Sequence, residues 1–290
     1  MDSDSIKKRK QEIIERYGSW TAHNIHLGGG VYTIDNRLVG DEVKLRRILQ
    51  IVCDVARAPL HEIRVLDLAC LEGLYAVELA RHGAEVAAIE VREANIEKAR
   101  FARDILTLDR LQLYHDDIRN LSKEKYGYFD VVLCLGILYH LDVPDLFLFL
   151  EKMSEVCKRF AVIDTHISVT ESEFYLYKGR KYWGRSYEEH SPDSSLKERS
   201  KSLWSSIDNV KSFWPTRSSL YNLLTHAGFT SVFECHTPPE IGKPLDRLTL
   251  LAIKGARQTL FSSQLINEVP QEDVPEKGNH GTADQDDAKS

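Results

Sequence analysis

One stretch constrains this chain more than any other, Val65 to Glu90, VLDLACLEGLYAVELARHGAEVAAIE. Val65, Leu66 and Leu68 read as an apolar strand, Cys70 to Gly73 as a tight turn, and Leu74, Val77, Leu79 and Ala80 as an apolar-periodic helix. A second strand follows and ends on an acid. Open parallel sheets bind ligands beyond the carboxyl ends of their strands, so this order describes a nucleoside pocket. Asp67 stands at the first strand end and Glu90 at the second, where a carboxylate can accept both hydroxyls of a ribose. Gly73 leaves room for the backbone to approach a ligand. A dinucleotide fingerprint needs GxGxxG to seat a pyrophosphate, whereas this turn has Ala69 and Leu71 at the other small positions. The ligand it suits carries no phosphate.

Composition narrows the class further. With 290 residues, 42% of them hydrophobic and 28% charged, the chain can bury a sizeable core as one large domain. A net charge of −6 argues against a generic grip on nucleic acid. Five scattered cysteines, Cys53, Cys70, Cys134, Cys157 and Cys235, form no CxxC pair, which favours free thiols in a reducing compartment and no metal site. The polar N-terminus does not read as a signal peptide, and the longest apolar run, Val131 to Leu141, is too short to span a membrane. A cytoplasmic location is expected.

Ahead of that unit, a helix is expected from about Ser5 to Tyr17, started by Asp4 or Ser5 and stopped by Gly18. Its Lys7 to Lys10 run reads as a solvated face, with contact to phosphate as the alternative. Ser19 to Asp35 is rich in glycine and aromatics without a helical period, and fits a lid over a pocket. Trp20, His23, Asn24, His26 and Tyr32 are its candidate contact groups, Trp20 toward the cofactor and His23 and Tyr32 toward substrate. A second helix, about Asp41 to Arg57, ends before Pro59.

Beyond it, Glu93 to Leu106 repeats the helical period and Leu111 to Ile118 the strand-then-acid pattern. Phe129 to Leu141 is a near-continuous apolar strand that breaks at Gly136 into Leu138, Tyr139 and His140. Helices at Pro144 to Val156 and Arg217 to His226, and strands at Arg159 to Ser168, Phe229 to Cys235 and Arg247 to Lys254, complete the frame, the last two joined by a loop containing Pro238, Pro239 and Pro244. Residues 169–214 form an insertion too long and too aromatic for a plain loop, and read as a substrate cap with Trp183 and Trp214 among its contacts. Residues 257–290 are polar and acidic, which reads as a disordered tail. The division is therefore residues 1–60, a domain at 61–256 and that tail.

Asp67-x-Ala69-x-Leu71-x-Gly73 and the acid Glu90 resemble the first two motifs of the class I S-adenosylmethionine-dependent methyltransferases, although those enzymes usually carry glycine where Ala69 and Leu71 stand. The resemblance covers about residues 62–254. It implies an α/β, Rossmann-like, doubly wound and mostly parallel seven-stranded sheet with an antiparallel C-terminal hairpin, and S-adenosyl-L-methionine as cofactor. It places Asp117 and Ile118 around the adenine, with Asp116 as the alternative acid, and lines the cofactor with Cys134, Leu135 and Gly136. The segment WTAHNIHLGGGVYTI, the turn LGILYHL and the run SFWPTRSSLYNLLTHAGF are similar to the branch related to the tRNA wobble-uridine modifying enzymes. That branch nominates Tyr139, His140 and Arg217 on the substrate side.

Methyl transfer needs a base only where the acceptor arrives protonated. His140 is the first candidate and His166, at the next strand end, the second. A methyltransferase acting on a small molecule is the leading expectation. A tRNA wobble-uridine methyl- or carboxymethyltransferase and a cofactor-binding protein without turnover are the alternatives.

Overall fold

The computed structural model describes residues 1–34, 42–237 and 242–262. Asp35, Asp41, Pro238, Pro239 and residues 263–290, on which some of the expectations above fall, lie outside the described residues. Residues 1–255 make one compact unit, and a second begins at Ala256.

Helix α1 (Ser3–Tyr17) is capped by Asp2, whose side chain accepts from the Ser5 amide, two residues before Asp4 and three before Ser5, the expected starts. The glycine-rich segment is partly ordered as a hairpin, β1 (His26–Gly28) with β2 (Val31–Tyr32). After α2 (Glu42–Ala56) comes the opening unit: β3 (Arg64–Leu68), α3 (Leu74–Arg81) and β4 (Glu85–Glu90). It is repeated by α4 (Glu93–Leu106) and β5 (Leu111–His115), then by the short α5 (Lys123–Tyr126), β6 (Phe129–Leu135), α6 (Asp145–Val156) and β7 (Cys157–His166). The insertion is neither loop nor simple lid. It folds as a three-stranded antiparallel sheet of β8 (Glu173–Tyr177), β9 (Arg180–Glu188) and β10 (Lys211–Pro215), with α7 (Leu196–Lys201) between the last two strands. Helix α8 (Arg217–Ala227) and strands β11 (Ser231–Glu234) and β12 (Arg247–Ile253) finish the frame.

The main sheet has the order β11-β12-β7-β6-β3-β4-β5. Strands β7, β6, β3, β4 and β5 pair in parallel and β12 runs against both its neighbours, giving the expected seven strands with a closing hairpin. Side chains alternate across each strand, so one sequence supplies two cores. Val65, Val86, Val131 and Val162 pack with α1 to α4, while Leu66, Ala87, Val132 and Ile163 pack with α6 and α8. Helices on both faces leave the carboxyl ends of the parallel strands as the open crevice.

Gly73 has φ +88°, and a Cβ there would come within 2.9 Å of the Ala99 Cβ. Its glycine therefore serves the packing of α3 against α4, which corrects the expectation that it clears space for a ligand. Ala69 (φ +54°) and Leu71 (φ +51°), where the enzymes this motif resembles usually carry glycine, adopt the same left-handed conformation despite their side chains. The turn keeps its shape without the usual residues.

Candidate active site

A cavity of about 460 Å³ opens at the carboxyl ends of β3, β4, β5 and β6. Strand β3 supplies Asp67 to its wall, the β3–α3 turn Ala69, Cys70 and Leu71, β4 Glu90, the turn after β5 Asp117 and Ile118, and β6 Leu135. Glu90 is buried, and its two oxygens accept from the Leu71 amide at 3.0 Å and the Arg92 amide at 2.8 Å. Those bonds fix the carboxylate while each oxygen keeps a lone pair for a ligand. Burial pushes the Glu90 carboxyl up, and the two amides only partly offset it. Asp67 is buried, its Oδ2 has no hydrogen-bond partner among the described residues, and burial, reinforced by nearby Glu90, raises its carboxyl to about 7. An orphaned carboxylate oxygen on a cavity wall suits a ligand bearing a cation or an N–H donor.

The turn after β5 separates the two neighbouring acids. Asp116 turns away from the cavity to Tyr126, Lys125 and Asn120, and these bonds outweigh its burial and hold its carboxyl far below the usual range. Asp117 lines the cavity and is paired with Arg119, Nη2 to Oδ2 at 2.6 Å.

The N-terminal segment is pinned over this crevice by Glu72, a residue of the β3–α3 turn. Its buried carboxylate accepts from the amides of Thr21 (2.8 Å), Ala22 (3.2 Å) and His23 (3.0 Å) and pairs with Lys98 Nζ at 3.2 Å. His23 returns the contact, its Nδ1 accepting from the Leu74 amide at 3.2 Å, the first residue of α3. So His23 lines the cavity, with one ring nitrogen committed to capping a helix.

At the far end of the cavity stand Tyr139, His140, Lys44 and Arg247. Nδ1 of His140 lies 3.0 Å from both oxygens of Glu189, a buried acid just after β9 that sequence reading missed. Glu189 also accepts from the Ser206 amide (2.9 Å) and the Ser212 hydroxyl (2.8 Å). Burial pushes its carboxyl up, but the His140 bond and these donors win, and it ends below its ordinary value. With Nδ1 committed, Nε2 is the His140 nitrogen left for acid–base work. Burial raises the Tyr139 phenol against the opposing pull of Arg247. Beneath these groups, buried Asp164 accepts from Arg247 Nη2 (2.7 Å), Lys44 Nζ (2.9 Å) and Thr249 Oγ1 (2.8 Å). Among the described residues, no cluster of side chains suits a metal ion.

Several expected site residues serve the framework and do not line the cavity. Trp20 is buried against Phe101, ring centroids 5.6 Å apart, and Cys134 lies wholly inside the core of the α6 face. His166 is bonded to Asp246 through Nδ1 (3.1 Å), meets Arg247 at Nε2 and is stacked on Trp214 at 5.0 Å, and burial followed by the Arg247 charge lowers its pKa. Trp214 donates from Nε1 to the Tyr139 carbonyl at 2.9 Å and so steadies that residue from behind. Trp183 packs on Phe174, Tyr32 on His26 in the hairpin, and Arg217 pairs with Glu234 at 3.3 Å on the surface. What reaches the cavity from the cap is the stretch Leu203 to Asn209, with Trp204 its one aromatic.

Comparison with known proteins agrees with this architecture. Residues 65–159 match the family model of a methyltransferase domain. A segment is 32% identical over 82 residues to the ubiquinone biosynthesis O-methyltransferase of Acinetobacter baylyi, covering 28% of this chain and 34% of that protein. The chain thus spans about a third of the length of the curated relative it matches. Among solved structures, the N-terminal domain of EvdMO1, crystallised in the presence of SAH and D-fucose, superposes with a TM-score of 0.67 at 22% identity, covering 89% of this chain and 98% of that one. An S-adenosylmethionine-dependent methyltransferase from Clostridium acetobutylicum gives 0.51 at 15% identity, covering 76% of this chain and 93% of that one. These likenesses establish the fold as that of the class I methyltransferases.

Proposed function

We propose that this protein transfers a methyl group from S-adenosylmethionine to a hydroxyl of a small-molecule acceptor. The observation that carries the reading is the pairing, in one cavity, of a strand-end carboxylate at Glu90 with a Glu189–His140 dyad at the opposite end. When bound, the cofactor supplies a methyl carbon already activated by its sulfonium. Glu90 accepts the ribose hydroxyls, Asp117 and Ile118 flank the adenine, and the orphaned Oδ2 of Asp67 receives the cationic portion of the ligand.

His140 takes the acceptor's hydroxyl proton on Nε2, and Glu189 holds the ring and stabilises the imidazolium through Nδ1. Glu189 is a positioning residue, since it acts through His140. The cavity walls exclude water and fix the line of attack, which in well-oriented systems contributes up to roughly 7–11 kcal/mol. The match to a methyltransferase domain and the O-methyltransferase relative support this reading.

A tRNA acceptor of the wobble-uridine type is the second reading, favoured by the Trp-His-Gly segment that precedes the domain. Formation of S-adenosylhomocysteine by the purified chain, assayed with a fractionated metabolite extract and separately with bulk tRNA, tests both. Turnover with a metabolite fraction is expected. Product with tRNA alone would replace the first reading by the second, and cofactor binding with no product from either would favour a protein without turnover.

A further inference from the structure

We propose that residues 199–209 form a lid whose closure is tied to cofactor occupancy through Arg92 and Arg119, so that the cofactor binds first and completes the acceptor site. The inference rests on the reading of Glu90 and Asp117 as cofactor acids.

Each acid is followed two residues later by an arginine, and both arginines reach the same piece of the cap. Arg92, whose amide donates to Glu90 Oε1, extends its guanidinium to the carbonyls of Ser200, Ser202 (2.8 Å) and Ser205 (3.0 Å). Arg119, whose amide and guanidinium both donate to Asp117, also binds Asp208 at 2.6 Å. A cofactor drawing on the lone pairs of Glu90 and Asp117 therefore acts on carboxylates that share bonds with the two tethers.

At its other end the same segment supports the dyad. The Ser206 amide donates to Glu189 and the Asn209 amide group donates to the His140 carbonyl at 3.1 Å. The stretch from Ser202 to Val210 has no regular element beyond turns and bends, and holds its place through these bonds together with Arg199 to the Asp208 carbonyl (2.8 Å), His190 Nε2 to the Ser206 carbonyl (2.8 Å) and the Glu189 amide to the Val210 carbonyl (2.8 Å). Few backbone ladders and an exposed Trp204 place it among the segments that open at low cost. A signal thus has a path of hydrogen bonds joined through the arginine residues themselves, from acid to arginine to lid to dyad.

Hydrogen exchange of the full chain with and without S-adenosylhomocysteine, with calorimetry on the same samples, tests the coupling. In the parent protein the ligand is expected to slow exchange across residues 199–209 by about fivefold or more. Arg92→Gln should still bind the ligand but lose that protection. Asp208→Asn, which cuts the second tether from the cap side and leaves both acids in place, should lose part of it. Equal exchange of the lid with and without bound ligand, or full protection in both variants, would overturn the proposal. Absence of any calorimetric binding by the parent would overturn the cofactor reading itself and this inference with it.

Discussion

Asp67 shows how one residue can carry the cost of burying a carboxylate. Its carboxyl is raised from 3.8 to about 7, so between those values the folded chain keeps a proton that the unfolded chain has released. Stability from this group is therefore full below its unfolded value and falls as pH rises to 7, by of order 4 kcal/mol. Asp67→Asn should flatten that part of the Tm-against-pH curve of the ligand-free protein, and identical slopes in parent and variant would refute the argument. At the other end of the cavity, Glu189→Gln should lower kcat about 10- to 100-fold with little change in KM, and Glu189→Asp should recover part of the loss. A matched rise in KM instead would assign Glu189 to acceptor binding. Glu189 was not legible in the sequence because it meets His140 across 49 positions, after an aromatic strand that drew attention to its rings. Asp117, by contrast, was visible as a strand-terminal acid, although only its bonds and those of Asp116 tell the two apart.

Among elements, the β3–α3 turn does most to shape the site. Gly73→Ala should cost about 1–3 kcal/mol, read as a fall in denaturation midpoint, because it adds a side chain at positive φ against Ala99. Ala69→Gly, at a left-handed position that suits glycine, should be neutral or stabilising by up to about 1 kcal/mol. Destabilisation there would mean that the alanine methyl packs better than the backbone is strained. Glu72→Gln removes the charge that three successive amides and Lys98 converge on, so residues 20–23 should become the first site of limited proteolysis. The hairpin and the cap sheet were harder to foresee than the main strands. Strand β8 alternates exposed and half-buried residues, β9 buries Tyr182 and Gly184 with Tyr182 joining the core on the α6 face, and glycine is needed at 184 because Phe213 and Trp214 of β10 lie against it.

For the whole molecule, the doubly wound sheet was legible because β3, β4 and β6 are buried on both faces and each closes near an acid or a glycine. Its contents were less so: residues 169–214 read as a cap with Trp183 and Trp214 among its contacts, yet of their aromatics it is Trp204 that lines the cavity. One signal was present and unread, the acid-x-arginine spacing at Glu90-Val91-Arg92 and again at Asp117-Ile118-Arg119. Among the described residues no helix is long and apolar enough to cross a membrane. The account stands on the cavity being a nucleoside site anchored by a strand-end carboxylate. Calorimetric titration of S-adenosylhomocysteine into the parent and into Glu90→Ala, with matched denaturation curves, measures this directly. The predicted result is binding by the parent and an affinity about 100-fold weaker in the variant, the loss of two hydrogen bonds to a charged group. Equal affinities in two equally folded proteins would contradict it.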